Sequence, residues 1–175
     1  MARRRDAFPP PDHDHAACVG RALGDAEALC VARGERLTEL RRRVLELVWG
    51  SHKPVGAYAL LAQLRAAMGK EQAPPTVYRA LEFLRAQGLV HRIESLNAFV
   101  GCDRPDRPHA VQFMICRDCR TTVEVHDDGI AEAIGAAAGR AGFTVQGRVV
   151  ELSGLCRACA ARVSAPARGA SPAPA

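Results

Sequence analysis

The sequence predicts an α+β chain of two units, with helices in the first half and short strands in the second. Apolar residues recur at helical spacing between about residues 22 and 87, and short β-like runs follow from residue 89 onward. Two Cys-x-x-Cys pairs, Cys116/Cys119 and Cys156/Cys159, have 36 residues between them. We therefore expect helices and a β-hairpin first, then an α/β unit closed by a metal ion.

Composition places the chain among soluble globular proteins. It has 175 residues, of which 48% are hydrophobic and 25% charged. No apolar run approaches the roughly 18–20 residues needed to cross a bilayer, and the N-terminus does not resemble a secretory signal. An odd count of seven cysteines in tight pairs favours metal ligation in a reducing compartment, so we expect a cytoplasmic protein without a membrane partner.

Positive charge is concentrated in the first half. The net charge of the chain is +5, whereas residues 33–92 contain eleven Lys/Arg and five Asp/Glu, which gives 11 − 5 = +6. A basic half predicts a polyanionic partner, most simply the phosphates of nucleic acid. A generic basic surface without such a partner is the alternative.

Two helices are predicted before residue 50. Apolar residues from Ala22 to Ala32 indicate a first helix that ends near Gly34. Thr38 is a plausible N-cap for a second helix, which ends near Gly50. Residues 1–20 and 164–175 are rich in Pro, Ala and polar residues, so we expect disordered tails there.

Two more helices are predicted between residues 58 and 88. The third has Tyr58 on its apolar stripe and is closed by Gly69. Pro74 and Pro75 favour an extended segment, after which Thr76 starts the fourth helix. Gly88 ends this helix.

Strands predominate in the rest of the chain. Residues 89–94 and 98–102 predict a hairpin, and residues 104–108 predict a linker that acts as a hinge. The predicted second unit has strands at 110–115, 121–126 and 143–152, with a helix of small residues around 130–138. This division gives units at 21–103 and 109–163, joined by the hinge at 104–108.

Three helices followed by a β-hairpin is the plan of a winged helix-turn-helix domain, which binds DNA. On the fourth predicted helix, an inward face of Val77, Leu81 and Leu84 leaves another set of side chains outward: Tyr78, Arg79, Glu82, Arg85 and Ala86. Arginine can donate to a guanine edge and tyrosine can pack on a base or a phosphate, so Tyr78 and Arg79 are candidate DNA contacts. An ordinary amphipathic helix with a solvated face is the alternative.

The two Cys-x-x-Cys pairs predict a structural zinc site. Four thiolates fill a tetrahedron and leave no open coordination position, as in structural zinc sites. The predicted ligands are Cys116, Cys119, Cys156 and Cys159. A rubredoxin-like iron site is the main alternative.

Several motifs resemble the ferric uptake regulator family of bacterial metal-responsive repressors. They are Arg36-Leu-Thr38, Arg43-Val-Leu45, Pro75-Thr-Val-Tyr-Arg-Ala-Leu81, Gly88-Leu-Val and the two cysteine pairs. The resemblance runs from about residue 22 to 162. Three segments, 74–84, 90–97 and 154–159, are most similar to the zinc-sensing branch of that family.

The resemblance implies a zinc-responsive repressor of zinc-uptake genes that binds dyad-symmetric double-stranded DNA as a homodimer. It implies two Zn²⁺ per chain, one structural and one regulatory. The regulatory ion, a co-repressor, would be held at the hinge by His91, Cys102, His109 and Glu124. The candidate DNA-binding residues are Arg36, Thr76, Tyr78, Arg79 and Arg85.

Three other functions are alternatives to this one. An iron- or other metal-responsive repressor is the nearest alternative, although His109 is the only histidine just before the first cysteine pair, where the iron-sensing branch has a cluster. A zinc protein that only dimerises is a second alternative. Cys102 and His109 could be imagined as nucleophile and base, but no Gly-rich oxyanion loop or third orienting group accompanies them, so we expect no enzyme.

A few metal-binding residue types are left without a predicted role. His13 and His15 could chelate a metal weakly, although a solvated polar tail is the simpler interpretation. Cys18 is an extra ligand or has no role, and Cys30 is expected in the core. His126, with Asp127 and Asp128, is a possible alternative or supporting ligand of the hinge site.

Overall fold

A computed structural model of the chain describes residues 7–10, 13–69, 73–107, 109 and 111–164. Four helices and a hairpin precede a three-stranded sheet with two helices, as the predicted fold class requires. In chain order the elements are α1 (His15–Ala32), α2 (Glu39–Val48), α3 (Ala57–Met68), α4 (Pro74–Ala86), β1 (Val90–Ile93), a 3-10 turn (Glu94–Leu96), β2 (Ala98–Gly101), β3 (Val111–Cys116), β4 (Thr122–Val125), α5 (Asp128–Arg140), β5 (Val149–Gly154) and α6 (Arg157–Ser164).

The first helix is longer than the sequence indicated. α1 begins at His15 because the Asp14 side chain caps it, accepting the Ala17 N–H at 3.0 Å. The expectation of a disordered tail over residues 1–20 is therefore wrong for residues 15–20. Residues 1–6, 11–12 and 165–175 of the two predicted tails lie outside the described residues.

The ends of the next helices follow local chemistry. Thr38 caps α2 as predicted, accepting the Arg41 N–H, and Gly69 ends α3 with a φ of 60°. α4 begins at Pro74 and not at Thr76, because a proline in the first helical turn loses no intrahelical hydrogen bond. α6 is a helix that the sequence analysis did not predict, and it reaches Ser164 in the expected C-terminal tail.

The core of the first unit lies between α1–α4 and the hairpin. Its buried members include Val44, Leu60, Val77 and Leu84, at the helical spacing seen in the sequence, and Cys30 lies there as expected. Burial of such side chains contributes roughly 1.5–3 kcal/mol each. Tyr58 does not belong to this core: it is 78% exposed, contrary to its predicted place on the buried stripe.

The second unit is a sheet with strand order β4-β3-β5. β3 pairs antiparallel with β4 and parallel with β5, and α5 lies in the connection that a parallel pair requires. β5 begins at Val149, later than the predicted 143. β5 is an edge strand, and its Val149 and Leu152 are 52% and 45% exposed.

The hairpin of the first unit packs on the sheet of the second. Ile93 of β1 forms a buried cluster with Phe113 and Ile115 of β3. Two backbone N–H groups of the 3-10 turn, at Glu94 and Ser95, donate to the Glu151 carboxylate of β5 at 2.7 and 3.3 Å. The two units therefore share an apolar and polar junction beside the hinge.

The side chain of Arg33 attaches the described part of the hinge segment to the first unit. Arg33, at the end of α1, donates to the backbone oxygens of Gln87 (2.7 Å) and Pro105 (3.4 Å). Pro108, the last residue of the predicted hinge, lies outside the described residues. Within the described ranges, no helix combines the length and hydrophobicity needed to cross a bilayer.

Gly101, at the end of β2, is packed against the indole ring of Trp49. A Cβ built at Gly101 would lie 2.1 Å from Trp49 Cε2, a distance that requires a shift of the ring or the strand. We expect Gly101→Ala to lower the free energy of unfolding by about 1–3 kcal/mol, measured by chemical denaturation at constant zinc.

Gly20 is the matched control. It lies within α1, and no described heavy atom comes within 4 Å of a Cβ built there. Gly20→Ala should leave stability unchanged or raise it by up to about 1 kcal/mol. Equal stability of both variants would contradict the contact between Gly101 and Trp49.

Candidate metal centres and nucleic-acid interface

The four cysteines of the two pairs meet at one end of the sheet. Cys116 ends β3, Cys119 lies in the turn to β4, and Cys156 and Cys159 lie at the start of α6. All four sulfurs lie within 4.8 Å of one another. The Cys119 and Cys156 sulfurs are 3.9 Å apart, near the roughly 3.8 Å expected between two sulfurs at 2.3 Å from a tetrahedral Zn²⁺.

This cluster suits an ion and not a disulfide. Each of the seven cysteines, all of which lie in the described residues, is a free thiol. Burial would raise the pKa of Cys116, but backbone hydrogen bonds, that from Cys156 N–H first, lower it to about 6. Donors that stabilise a thiolate, as at Cys116, favour metal ligation. Cys159 differs: Arg162 donates to its sulfur at 3.0 Å, but the Asp118 side chain and then burial raise the pKa of this thiol far above its usual range.

A second set of ligands meets where the hairpin packs on the sheet. His91 lies on β1, Cys102 follows β2, His109 follows the hinge segment, and Glu124 lies on β4. Their ligand atoms all lie within 4.8 Å of one another, so the structure brings together the four residues predicted at the hinge.

The distances within this hinge site suit a tetrahedral ion. Cys102 Sγ is 3.7 Å from His109 Nε2, and His91 Nε2 is 3.4 Å from Glu124 Oε1. Ligand atoms around a tetrahedral Zn²⁺ are about 3.3–3.8 Å apart at ordinary bond lengths. His109 Nε2 and Glu124 Oε1 lie closer together than this, in a short hydrogen bond.

One buried nitrogen tests whether these residues fit a metal. His91 Nε2 is buried and has no hydrogen-bond partner with good geometry among the described residues. An unsatisfied buried polar atom is costly, and ligation of an ion removes the cost. The Nδ1–H of His109 donates to the Arg107 carbonyl (2.9 Å), which leaves Nε2 facing the other ligands, as in metal-bound histidines.

Charge in the hinge site centres on Glu124. Burial would raise the pKa of Glu124, but the nearby imidazoles of His91 and then His109 outweigh burial and lower it to about 2. Burial, and then the negative charge of Glu124, raises the pKa of the Cys102 thiol far above its usual range. One carboxylate, one thiol and two imidazoles are a donor set that zinc accepts.

The neighbouring acidic residues have other partners. His126 Nε2 bonds Asp103 Oδ1 at 3.0 Å, and Asp103 N–H donates to Glu124 Oε2 at 3.4 Å, so His126 belongs to the surroundings of the hinge site. Asp127 caps α5 by accepting the Gly129 N–H at 2.9 Å, and Asp128 lies in the first turn of that helix. The geometry gives Asp127 a structural task.

The predicted nucleic-acid face lies along α4. Val77, Leu81 and Leu84 are buried as predicted, and Ala80 joins them. Tyr78 is 43% exposed, Arg79 and Arg85 are exposed, and Thr76 is half-buried near the start of the helix. Arg36 is exposed before α2.

Tyr58 lies beside this predicted surface, although the sequence did not indicate it. Tyr58 and Tyr78 line the same groove, together with Arg85 and with Arg92 and Asn97 of the hairpin. The one sequence signal for the exposure of Tyr58 is that it lies outside the buried stripe of α3, which is Leu60, Leu61 and Leu64.

A third set of metal-binding side chains lies at the start of α1. His13, His15 and Cys18 meet His52, which lies in the connection between α2 and α3. The sequence indicated weak chelation by the two histidines and left Cys18 open. His52 carried no signal because it is distant in sequence.

The sequence model of the ferric uptake regulator family matches residues 32–153, which is more than half of the chain. It is 41% identical over 138 residues to the zinc uptake regulation protein of Escherichia coli strain K12, covering 78% of this chain and 80% of that protein. The chain belongs to the ferric uptake regulator family. The family predicted from the sequence is confirmed.

Solved structures agree with this assignment. One described as "Zinc Uptake Regulator Complexed With Zinc AND DNA" superposes with a TM-score of 0.78 at 38% identity, covering 84% of this chain and 98% of that one. Another, described as holo XcZur, gives a TM-score of 0.73 at 46% identity, with 79% and 96% coverage. The α+β fold class is therefore confirmed.

The raised pKa of Cys102 predicts a pH dependence of metal binding in this family member. Cys102 is a neutral thiol near pH 7, so binding of an ion through its sulfur displaces a proton. We expect the zinc affinity of the hinge site to rise about tenfold from pH 7 to pH 8, measured by competition with a chelator of known pH dependence.

Cys102→Ser is the control for this slope. It removes the thiol and its proton, so its weaker zinc binding should change less with pH. An affinity of the unmodified chain that is the same at both pH values would contradict ligation by a thiol that is neutral before binding.

Proposed function

We propose that this chain is a zinc-responsive, DNA-binding transcriptional repressor of zinc-uptake genes, with Zn²⁺ as co-repressor at the hinge site. The observation that carries the proposal is the origin of the ligands. His91 and Cys102 come from the hairpin of the first unit, whereas His109 and Glu124 come from the second unit. Relatives described as zinc uptake regulators support the choice of zinc.

The two metal sites differ in what they connect. Cys116, Cys119, Cys156 and Cys159 all belong to the second unit, so a structural Zn²⁺ there would fasten β3, its turn and α6 together. The hinge ligands belong to both units, so a regulatory Zn²⁺ there would set their relative orientation. We propose two Zn²⁺ per chain on this basis.

The proposed units are residues 21–103 and 109–163, joined by the hinge at 104–108, with α1 extending the first unit back to His15. When bound at the hinge site, Zn²⁺ supplies a bridging charge of +2 for the Glu124 carboxylate and the Cys102 thiolate. His91 and Cys102 are then held against His109 and Glu124, which fixes the hairpin and α4 relative to the sheet. Metal affinity and DNA affinity are coupled through that orientation.

The proposed DNA contacts are Arg36, Thr76, Tyr78, Arg79 and Arg85, with Tyr58 added from the groove. The exposure of Tyr78 and Arg79 on α4 supports a recognition helix in the major groove of double-stranded DNA. The excess positive charge of residues 33–92 supports contact with phosphates.

We also propose a cytoplasmic homodimer that reads a dyad-symmetric operator. β5 supports this assembly, because an edge strand with exposed apolar side chains such as Val149 and Leu152 is a surface that a second copy can cover. Two recognition helices related by a two-fold axis match half-sites about 34–36 Å apart.

Removal of hinge ligands tests the role of the regulatory site. We expect His91→Ala and Cys102→Ser to remove the zinc dependence of operator binding while leaving a folded dimer, because only the ligands that join the two units are lost. The loss should be roughly 5–150-fold in affinity, the usual range of such coupling, measured by gel shift with and without chelator on DNA from upstream of zinc-import genes.

Two further variants sharpen this experiment. Glu132→Ala removes an exposed carboxylate on α5 and should keep the zinc dependence, whereas Glu124→Ala should lose it. Cys116→Ser should instead unfold the second unit, seen in thermal melts. DNA binding restored by Fe²⁺ and not by Zn²⁺ would transfer the proposal to an iron-responsive repressor, and zinc-dependent binding by His91→Ala would overturn the site assignment.

Loss of one arginine on α4 tests the DNA-binding face. We expect Arg79→Ala to weaken operator binding by about 1–3 kcal/mol and to relax base preference at one position of each half-site, measured by fluorescence anisotropy on single-base operator variants. Arg140→Ala removes the same charge from the exposed end of α5 and should change neither. An unchanged operator preference for Arg79→Ala would exclude Arg79 from base contacts.

A further inference from the structure

The cluster at the start of α1 is built by local structure and by one distant loop. Asp14 caps α1, so His15 is the first residue of the helix and Cys18 lies one turn further along the same face. His13 precedes the cap, and His52 approaches from the α2–α3 connection. The ligand atoms of these four residues lie within 4.8 Å of one another.

The hydrogen bonds of this cluster orient its imidazoles. His13 Nδ1 lies 2.8 Å from the Pro10 carbonyl oxygen, and His15 Nε2 lies 2.7 Å from the Trp49 carbonyl oxygen. A carbonyl can only accept, so these two nitrogens carry the hydrogens. The lone pairs of the neutral rings are then at His13 Nε2 and His15 Nδ1.

Those lone pairs lack ordinary partners. His15 Nδ1 is buried and makes no hydrogen bond to any part of the chain that the structure describes. His13 Nε2 faces His52 Nε2 at 2.7 Å, where at most one hydrogen can lie between the two nitrogens. The hinge site shows one of these features in each of its histidines: His109 has a carbonyl-bound outer nitrogen and His91 has an unsatisfied inner nitrogen.

We propose that His13, His15, Cys18 and His52 form a third metal site, which takes a borderline-soft divalent ion and above all Zn²⁺. Three imidazoles and one thiolate match the ligands and the coordination number of zinc, whereas Mg²⁺ and Ca²⁺ require oxygen ligands. With this site, five of the six histidines of the chain belong to a candidate metal site, His126 lies beside the hinge site, and Cys30 in the core is the one cysteine outside these sites.

The position of the third site gives it a distinct task. Phe8, just ahead of it, packs against the cysteine cluster of the second unit, while His15 and Cys18 belong to α1 of the first. The His52 carbonyl accepts the Thr122 N–H at 2.8 Å, which joins the α2–α3 connection to β4. An ion at the third site fastens the described part of the N-terminal arm, residues 7–10 and 13–18, across this second junction between the units.

Zinc stoichiometry tests the third site independently of DNA binding. The full-length chain is equilibrated in zinc-buffered solutions that cover a wide range of free zinc and is then analysed for zinc per chain. We expect His15→Ala, His52→Ala and Cys18→Ser each to hold one zinc ion fewer than the unmodified chain at saturation. Lys53→Ala, an exposed neighbour of His52, should retain the full number.

Cobalt substitution identifies the ligands. In a Cys102→Ser background, which removes the hinge thiolate, Cys18→Ser should abolish the remaining non-Cys₄ sulfur-to-cobalt charge-transfer absorption. Hydrogen exchange at the amides of residues 13–18 should slow on zinc addition in the unmodified chain and not in Cys18→Ser.

The proposal is overturned if all these variants bind as many zinc ions as the unmodified chain, in which case the cluster is only a hydrogen-bonded group of histidines. If His15→Ala loses helical circular dichroism, the test rests on Cys18→Ser. That variant exchanges one sulfur for oxygen and leaves the hydrogen bonds of His13 and His15 in place. The hinge variants keep the third site intact. If they lose zinc-dependent DNA binding, that loss is due to the hinge site, and the zinc count of the third-site variants is a separate test.

Discussion

The arrangement of the two units depends on one buried carboxylate. The side chain of Glu124 is only 4% exposed, and its Oε1 atom faces both His91 and His109 across the junction. A carboxylate so enclosed is costly unless it is paired, so the histidines of one unit and the hinge must approach the strand of the other. A cation bound at that point would be paired with the negative charge of Glu124, which the fold already holds there.

The junction is also constrained on either side of this carboxylate. The Ile93 cluster packs the hairpin on β3, and Arg33 anchors the hinge segment to the end of α1. The cysteine cluster lies at one end of the same sheet, where Cys119 is in the turn that leads into β4, the strand that carries Glu124. Under the proposed function, these contacts let an ion at the hinge site set the orientation of α4 relative to the sheet.

Most of the fold could be predicted because its signals are local. Helical spacing, the Thr38 cap and Gly69 each act within a turn or two of chain, and Cys-x-x-Cys places two sulfurs together whatever follows. The start of α1 was missed because Asp14 sits in a polar, proline-rich stretch that resembles a tail. The start of α4 was placed too late because Pro74 and Pro75 were interpreted as an extended segment. Proline interrupts a helix only beyond the first turn, and both prolines lie in the first turn of α4.

The candidate sites divide in the same way. Cysteine spacing alone indicated the Cys₄ cluster, whereas His91, Cys102, His109 and Glu124 became a set only through the family resemblance. His52 lies far from His13 in sequence and meets it through the packing of α1 against the α2–α3 connection, which no spacing rule reports. Tyr58 was misplaced because the face of a residue at a helix start is set by its tertiary neighbours.

Trp49 is the single tryptophan of the chain, and it lies between two of these sites. Its ring contacts Gly101, the residue before Cys102, and its carbonyl accepts from His15. The intrinsic fluorescence of this indole is thus a built-in optical reporter of both the strand that carries Cys102 and the arm that carries His15, free of any attached dye.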